Sequence, residues 1–296
     1  MKKLIVDKKF DNKKLHDFLL YSFPSLSSNA IYKALRKKDI RINGKRVSEN
    51  KTIFSQDEIC IYIPDNILFN TNLDIIFEDS NIIILNKPFN LEITGNNSLT
   101  SLVQNNYSSE KEFPLPCHRL DRNTTGLIIF AKNEVALSIL LEKFKNKEIE
   151  KHYACIVYGI PQKSSATLND FLFKDSKKGM VYISPNTKPG YLPITTKYHV
   201  LKSNYKKNIS ILDVELVTGR THQIRAHLAF INHPIIGDGK YGTNEINKKF
   251  KVKHQLLCSY KITFRFRGDS GILEYLSGKS FEIPYDNFYN IIEEHN

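Results

Sequence analysis

A run of turn formers, Leu120-Asp121-Arg122-Asn123-Thr124-Thr125-Gly126, opens directly into the apolar segment Leu127-Ile128-Ile129-Phe130. Asp, Asn, Thr and Gly favour turns because they bond their own backbone or accept left-handed geometry. A short apolar run bounded by such a turn reads as a buried strand. The same turn sets Asp121 between Arg119 and Arg122, with His118 just before them. Turns at the end of a rigid strand commonly display reactive groups. A turn aspartate also serves as a plain acceptor or helix cap, and the residues alone leave both uses open.

The spacing of apolar residues divides the chain into residues 1–66 and residues 71–296, with a polar link from Pro64-Asp65-Asn66. In the first part, Leu15, Phe18 and Leu19 have helical spacing, as do Ile31, Ala34 and Leu35, across a turn at 23–27. Ile40-Arg41-Ile42-Asn43-Gly44-Lys45-Arg46-Val47 reads as a hairpin, and residues 57–63 as a closing strand. In the second part, strands at 73–77 and 82–85 pair around a polar turn. Asn133 caps a helix whose core stripe is Leu137, Leu140, Leu141 and Phe144. Further strands are expected at 151–158, 195–202, 208–217 and 256–266, and a helix from about Thr221. On that helix His222 and Arg225 share a face, opposite the stripe Ile224, Leu228 and Ile231. The pattern predicts an α+β fold, a mostly antiparallel sheet with flanking helices plus a small N-terminal α/β domain.

Lys and Arg number 43 against 31 Asp and Glu, a net charge of +12. Such a balance favours polyanions, nucleic acid ahead of an anionic membrane. Arg36, Lys37, Lys38, Arg41, Lys45 and Arg46 are candidate phosphate contacts; a solvated basic helix end is the competing reading. No apolar run approaches the roughly 20 residues that span a bilayer. Residues 1–7 turn polar too soon for a signal peptide, so a cytoplasmic protein is expected. Cys60, Cys117, Cys155 and Cys258 stand far apart, as reduced core or pocket-wall residues. The spacing of His222, His227 and His233 fits no usual zinc pattern, so no metal is expected. A glycine-rich phosphate loop is missing, so no cofactor is expected either.

The string His118–Leu127 closely resembles the HRLDxxTSG motif of the RluA-like family of RNA pseudouridine synthases. Three further segments are similar to family motifs. They are Asn86-Lys87-Pro88, Lys151–Gly159 around Tyr153, and Gly219-Arg220-Thr221-His222-Gln223-Ile224-Arg225-Ala226-His227. His233-Pro234-Ile235-Ile236-Gly237-Asp238 also fits, so the resemblance covers nearly the whole chain. Asn90 stands where the family has glycine, and asparagine tolerates the left-handed backbone that glycine would adopt. Residues 1–66 resemble the RNA-binding domain named after ribosomal protein S-four. Residues 26–31 lack the arginines usual at its second helix.

The resemblance implies a pseudouridine synthase fold and isomerisation of uridine without a cofactor. The arrangement of domains looks most like the RluC and RluD type. Large-subunit ribosomal RNA is therefore the expected substrate and partner, transfer RNA the alternative, and a monomer the expected state. The reaction breaks the C1′–N1 bond, turns the uracil over and joins C1′ to C5. A carboxylate suits work at a sugar carbon where positive charge develops. By resemblance Asp121 is that group, acting covalently or by sugar-proton abstraction. Arg225 is expected to hold Asp121 bidentately. Tyr153 is expected to stack on the base and take the C5 proton. His118, Arg119, Arg122, Arg220 and His222 are expected to contact the flipped-out nucleotide. A non-catalytic RNA-binding assembly factor and a nucleoside hydrolase are the alternatives from other classes.

Overall fold

The computed structural model describes residues 2–63, 73–107, 113–285 and 288, apart from residues 24–25, 27, 96–97 and 253. The chain falls into two compact units, Met1–Leu73 with Asn90–Ser108 and Asp74–Phe89 with Ser109–Asn296. The expected link at Pro64–Asn66 lies outside the described residues, as does the start of the second part at 71.

The smaller unit holds strands β1 (Lys2–Ile5), β2 (Lys13–Lys14), β3 (Ile40–Ile42), β4 (Lys45–Arg46), β5 (Thr52–Ile53) and β6 (Glu58–Ile61). Four of them form an antiparallel sheet in the order β1-β6-β3-β4. The helices Leu15–Ser22 and Ser28–Lys37 bury Leu15, Phe18, Leu19, Ile31, Ala34 and Leu35, as their spacing predicts. These close one apolar cluster with Ile40, Val47, Ile53, Ile59 and Ile61. Asn43 (φ 48°) and Gly44 (φ 77°) turn the β3–β4 hairpin with positive φ at both central positions, which suits the twist of paired strands. Asn90 sits at φ 63°, the left-handed backbone expected of it.

The larger unit is built on one mixed sheet of eleven strands. In chain order they are β7 (Ile75–Glu78), β8 (Ile82–Lys87), β9 (Leu115–Pro116), β10 (Thr125–Ala131), β11 (Ile149–Tyr158), β12 (Ser165–Asp175), β13 (Met180–Ser184), β14 (Leu192–Asn204), β15 (Ile209–Leu216), β16 (Leu257–Phe264) and β17 (Ser280–Glu282). The order is β13-β12-β14-β15-β11-β16-β10-β8-β7, with β17 beside β16 and β9 beside β10. Among the described pairs only β10 with β16 is parallel. The fold is thus α+β with a mostly antiparallel sheet. Strand β10 is buried from Gly126 to Ala131, so it reads as an unbroken apolar run rather than an alternating one. Asn133 caps the helix Glu134–Lys145 by accepting from the Ala136 N–H at 2.9 Å. Leu140 is buried and Leu137 and Phe144 are half-buried, but Leu141 faces out at 48% exposure. The core stripe runs instead through Ala136, Leu140 and Lys143, a turn apart on one face.

Candidate active site

Strand β16 lies between β10 and β11 and so brings the turn before β10 close to Tyr153 on β11. The contact is tight at Gly126, whose φ is +105°. A Cβ there would lie 2.3 Å from the Ser259 carbonyl oxygen. Only glycine lets β10 start so near β16. The Thr124 N–H closes the turn on the Asp121 carbonyl at 3.0 Å, and the Gln255 amide donates to the Thr124 hydroxyl at 2.7 Å. Beneath the turn, the fully buried Lys87 ammonium donates to the carbonyls of Pro88 (2.8 Å) and Arg122 (2.9 Å). Burial lowers its pKa to about 7, against the pull of the Asp121 charge.

The helix Gln223–Phe230 packs on β13 and β14 and delivers Arg225. Its guanidinium does not fork onto Asp121, as the sequence suggests. One arm, Nη1, donates to Asp121 Oδ2 at 2.8 Å. The fork, Nε and Nη2, grips Asp238 at 2.6 and 2.9 Å. Asp238 is fully buried and also accepts from the backbone of Lys240 and Tyr241. Burial alone would raise its pKa, but the Arg225 guanidinium and the backbone donors hold it below the usual carboxylate range. Asp238 therefore fixes Arg225, and Arg225 fixes Asp121. Arg225 is buried, held between Asp238 and Asp121.

His222 is not on the helix. It is the residue before it, at φ 53°, a conformation that histidine enters more readily than most residues. Tyr241 accepts from the Val181 N–H at 2.9 Å and bonds His222 Nδ1 at 2.9 Å. The other ring nitrogen, Nε2, lies 3.9 Å from Asp121 Oδ2. Burial lowers the His222 pKa more than the Asp121 charge raises it, which favours the neutral ring. Tyr153 is buried, and burial pushes its phenol well up, with the Asp121 charge adding to the shift. Asp121, Thr124, Tyr153, His222, Arg225 and Leu257 line one cavity of about 60 Å³.

Comparison with known proteins gives the family. Residues 81–230 match the family model described as RNA pseudouridylate synthase, a span that contains Asp121, Tyr153 and Arg225. A Mycoplasma capricolum protein called an uncharacterized RNA pseudouridine synthase is 34% identical, over 94% of this chain and 96% of its own. The chain belongs to the RNA pseudouridylate synthase family. It is an isomerase by that membership. A Buchnera aphidicola (subsp. Baizongia pistaciae) relative, called ribosomal large subunit pseudouridine synthase C, is 32% identical over 86% of each chain. The fold is shared with human RNA pseudouridylate synthase domain containing 4. That likeness has a TM-score of 0.59 at 21% identity and covers 74% of this chain and 90% of the human one.

Other expected site residues of this synthase fall into different settings. Arg119 and Arg220 are exposed and line the mouth of the site, while Arg122 is half-buried beside the turn. His118 is held from behind: its Nε2 accepts from the Ile129 N–H at 3.1 Å, and burial, with Lys151 nearby, lowers its pKa to about 3. A neutral ring engaged by the sheet serves the turn better than a phosphate. In the smaller unit Arg36, Lys37, Lys38, Lys45 and Arg46 are exposed and Arg41 is half-buried. The four cysteines are buried and unpaired, and Cys117 forms cavity wall. Among the described residues no group of side chains could hold a metal ion. No described helix is long and apolar enough to cross a membrane.

Sequence reasoning missed Asp238, Lys87 and Tyr241 as parts of the site. Asp238 and Lys87 lay within quoted motifs, yet each role depends on a partner 13 or more residues away, as does that of Tyr241. Gln223 was missed for the same reason. Its buried amide takes Thr218 Oγ1 and the Arg220 N–H and donates to Thr195 O and Thr196 Oγ1, which pins the turn that carries His222.

Proposed function

We infer that this synthase converts uridine to pseudouridine in large-subunit ribosomal RNA, with Asp121 as the residue that acts at C1′. The observation that carries the reading is the chain Asp238–Arg225–Asp121. A buried carboxylate fixes a guanidinium, whose third donor fixes a second carboxylate at the wall of a small cavity. Preorganised charge of this kind stabilises a transition state without rearranging during reaction. The target uridine enters flipped out of its strand. Asp121 meets the positive charge that develops as the C1′–N1 bond breaks, by covalent attack or by removing a sugar proton. The freed uracil, which holds the electron pair of the broken bond at N1, turns. C5 joins C1′ as Asp121 is displaced from it or returns the sugar proton. The C5 proton passes to solvent and N1 takes one up, so atoms and charge balance as an isomerisation. Tyr153 packs against the base. Its burial favours the neutral phenol, which supports ring contact over the role of proton acceptor.

The substrate class follows the name carried by the relatives called synthase C, together with the basic surface. The exposed cations of residues 36–46 supply phosphate contacts. Arg41 and Arg46 are register partners across β3 and β4, with the Arg41 guanidinium 4.8 Å from the centre of the Tyr62 ring, and like charges at opposed positions weaken a strand pair. On this reading the synthase works as a monomer in the cytoplasm, where ribosomal RNA is made.

The test is a map of pseudouridines in total RNA from cells with and without this protein, together with turnover of purified wild type and Asp121→Asn on large-subunit RNA. Loss of specific pseudouridines from that RNA, restored by wild type and not by Asp121→Asn, supports the reading. Turnover by Asp121→Asn within tenfold of wild type would remove Asp121 from the chemistry. Loss confined to transfer RNA would move the substrate.

A further inference from the structure

The wall that holds Asp121 and Tyr153 continues into a larger chamber of about 520 Å³, which includes Cys117, Arg119, Phe144, Lys147 and Lys151. This is within the roughly 300–1,000 Å³ of ligand pockets. Asp121 and Tyr153 stand at one end of it, and Phe144, Lys147 and Lys151 have no part in the chemistry at C1′.

Lys151 sets its character. Lys151 and Tyr153 are two apart on β11, so they stand on one face of the sheet, about 6.6 Å apart along the strand. The Lys151 ammonium lies 4.9 Å from the centre of the Phe144 ring, and among the described residues no carboxylate or carbonyl bonds it. Burial lowers its pKa to about 8. A cation taken out of water without a partner is costly, and an arriving anion offsets that cost. Lys145, Lys147, Arg119 and Arg220 add positive charge around the same space. The one carboxylate on its wall, Asp121, is already engaged by Arg225. The chamber therefore selects an anion. Its aromatic wall adds a flat surface: Phe144 packs against the core and sits 4.9 Å from the His118 ring. An anion and a flat ring together are a nucleotide.

We propose that this chamber is a second nucleotide subsite, where Lys151 takes the phosphate joining the target uridine to its neighbour and Phe144 carries the neighbour's base. The inference rests on the reading of the protein as an RNA-modifying synthase. Because the chamber shares Asp121 and Tyr153 with the reaction site, its occupant is the residue next in the strand to the flipped uridine. Stacking tolerates any base. The subsite thus supplies affinity and register more than sequence choice.

The experiment compares wild type, Lys151→Met and Lys151→Arg on a short RNA that contains the target uridine. Lys151→Met keeps the stem and removes the charge. The expected result is a KM raised about tenfold, for one lost charge-assisted bond. The slope of log affinity against log salt falls by about 0.7. Saturated turnover stays within about twofold of wild type, and Tm is little changed, because the half-buried ammonium has no carboxylate partner to lose. Lys151→Arg restores the slope. A neutral methylphosphonate at the phosphate beside the target imposes the same loss on wild type and none on Lys151→Met. Unchanged KM and slope in Lys151→Met, or additive losses at every flanking phosphate, would overturn the subsite. A wild type that makes no pseudouridine overturns instead the isomerase reading on which it rests.

Discussion

Arg225 is the residue on which the site turns, and Arg225→Lys separates positioning from charge. Lysine keeps the positive charge but cannot hold Asp238 with a fork and Asp121 with a third donor at once. Turnover should fall about a hundredfold, the scale of a 1 Å misplacement, with RNA affinity little changed. Normal saturated turnover with weak RNA binding would make Arg225 a phosphate ligand. Asp238→Asn tests the residue behind it: breaking one side of a buried pair costs about 3–5 kcal/mol, seen as a lower denaturant midpoint, with turnover falling too. His222 carries a prediction of its own. Tyr241 accepts from Val181, so its hydroxyl hydrogen is free for His222 Nδ1, which leaves the imidazole proton on Nε2, toward Asp121. Nitrogen NMR should find that tautomer in wild type and a mixture in Tyr241→Phe. An Nδ1–H ring in wild type would sink it. Asp121 and Arg225 were legible in the sequence because motif strings carry them whole. The fork was not, since no local pattern tells which of two aspartates a guanidinium will grip.

At the scale of elements, the start of β10 decides where Asp121 stands. Gly126→Ala places a Cβ against the Ser259 backbone, where no side chain can yield. Overpacking of that kind costs about 1–3 kcal/mol or more and shifts the turn, so both stability and turnover should drop. A variant as stable and active as wild type would show that β16 can move away. The strand itself was readable from four apolar residues in a row. Strands β12 and β13 were not anticipated, because most of their residues are exposed or half-buried and their polar content hides the pairing. The site helix was placed too early, since His222 takes a left-handed conformation that periodicity does not reveal. His118 behind β10 adds a pH effect. Its folded pKa, about 3, lies below the ordinary histidine value of 6.5. The unfolded chain therefore binds a proton that the folded chain refuses, and its contribution to stability is lost as pH falls from about 6.5 toward 3. Denaturant midpoints against pH should fall less steeply over that window in His118→Gln; equal slopes would show that His118 is not the group.

For the whole molecule, the excess of positive charge has to be assigned to a surface, and the smaller unit offers one. Its helix end and hairpin expose Arg36, Lys37, Lys38, Lys45 and Arg46. The absence of arginines at 28–30 leaves phosphate contact to the opposite end of that helix, at 36–38, and to the hairpin. Lys37→Glu combined with Lys45→Glu keeps the buried cluster untouched, since both side chains are exposed. If each contacts one phosphate, the slope of log affinity against log salt should drop by about 1.4–1.8 on structured RNA, from 0.7–0.9 per contact. Saturated turnover should stay near wild type, because the chemistry is confined to the larger unit. A slope that does not change would assign the basic face to solvation alone. A slope that falls together with saturated turnover would mean that these lysines also help to seat the uridine. The Arg41–Arg46 pair sharpens the outcome. Like charges at directly opposed strand positions are destabilising, and an anion bound near them offsets that cost. Arg46→Gln should therefore raise the stability of the free protein slightly while lowering its affinity for RNA, a combination that a purely structural hairpin would not produce.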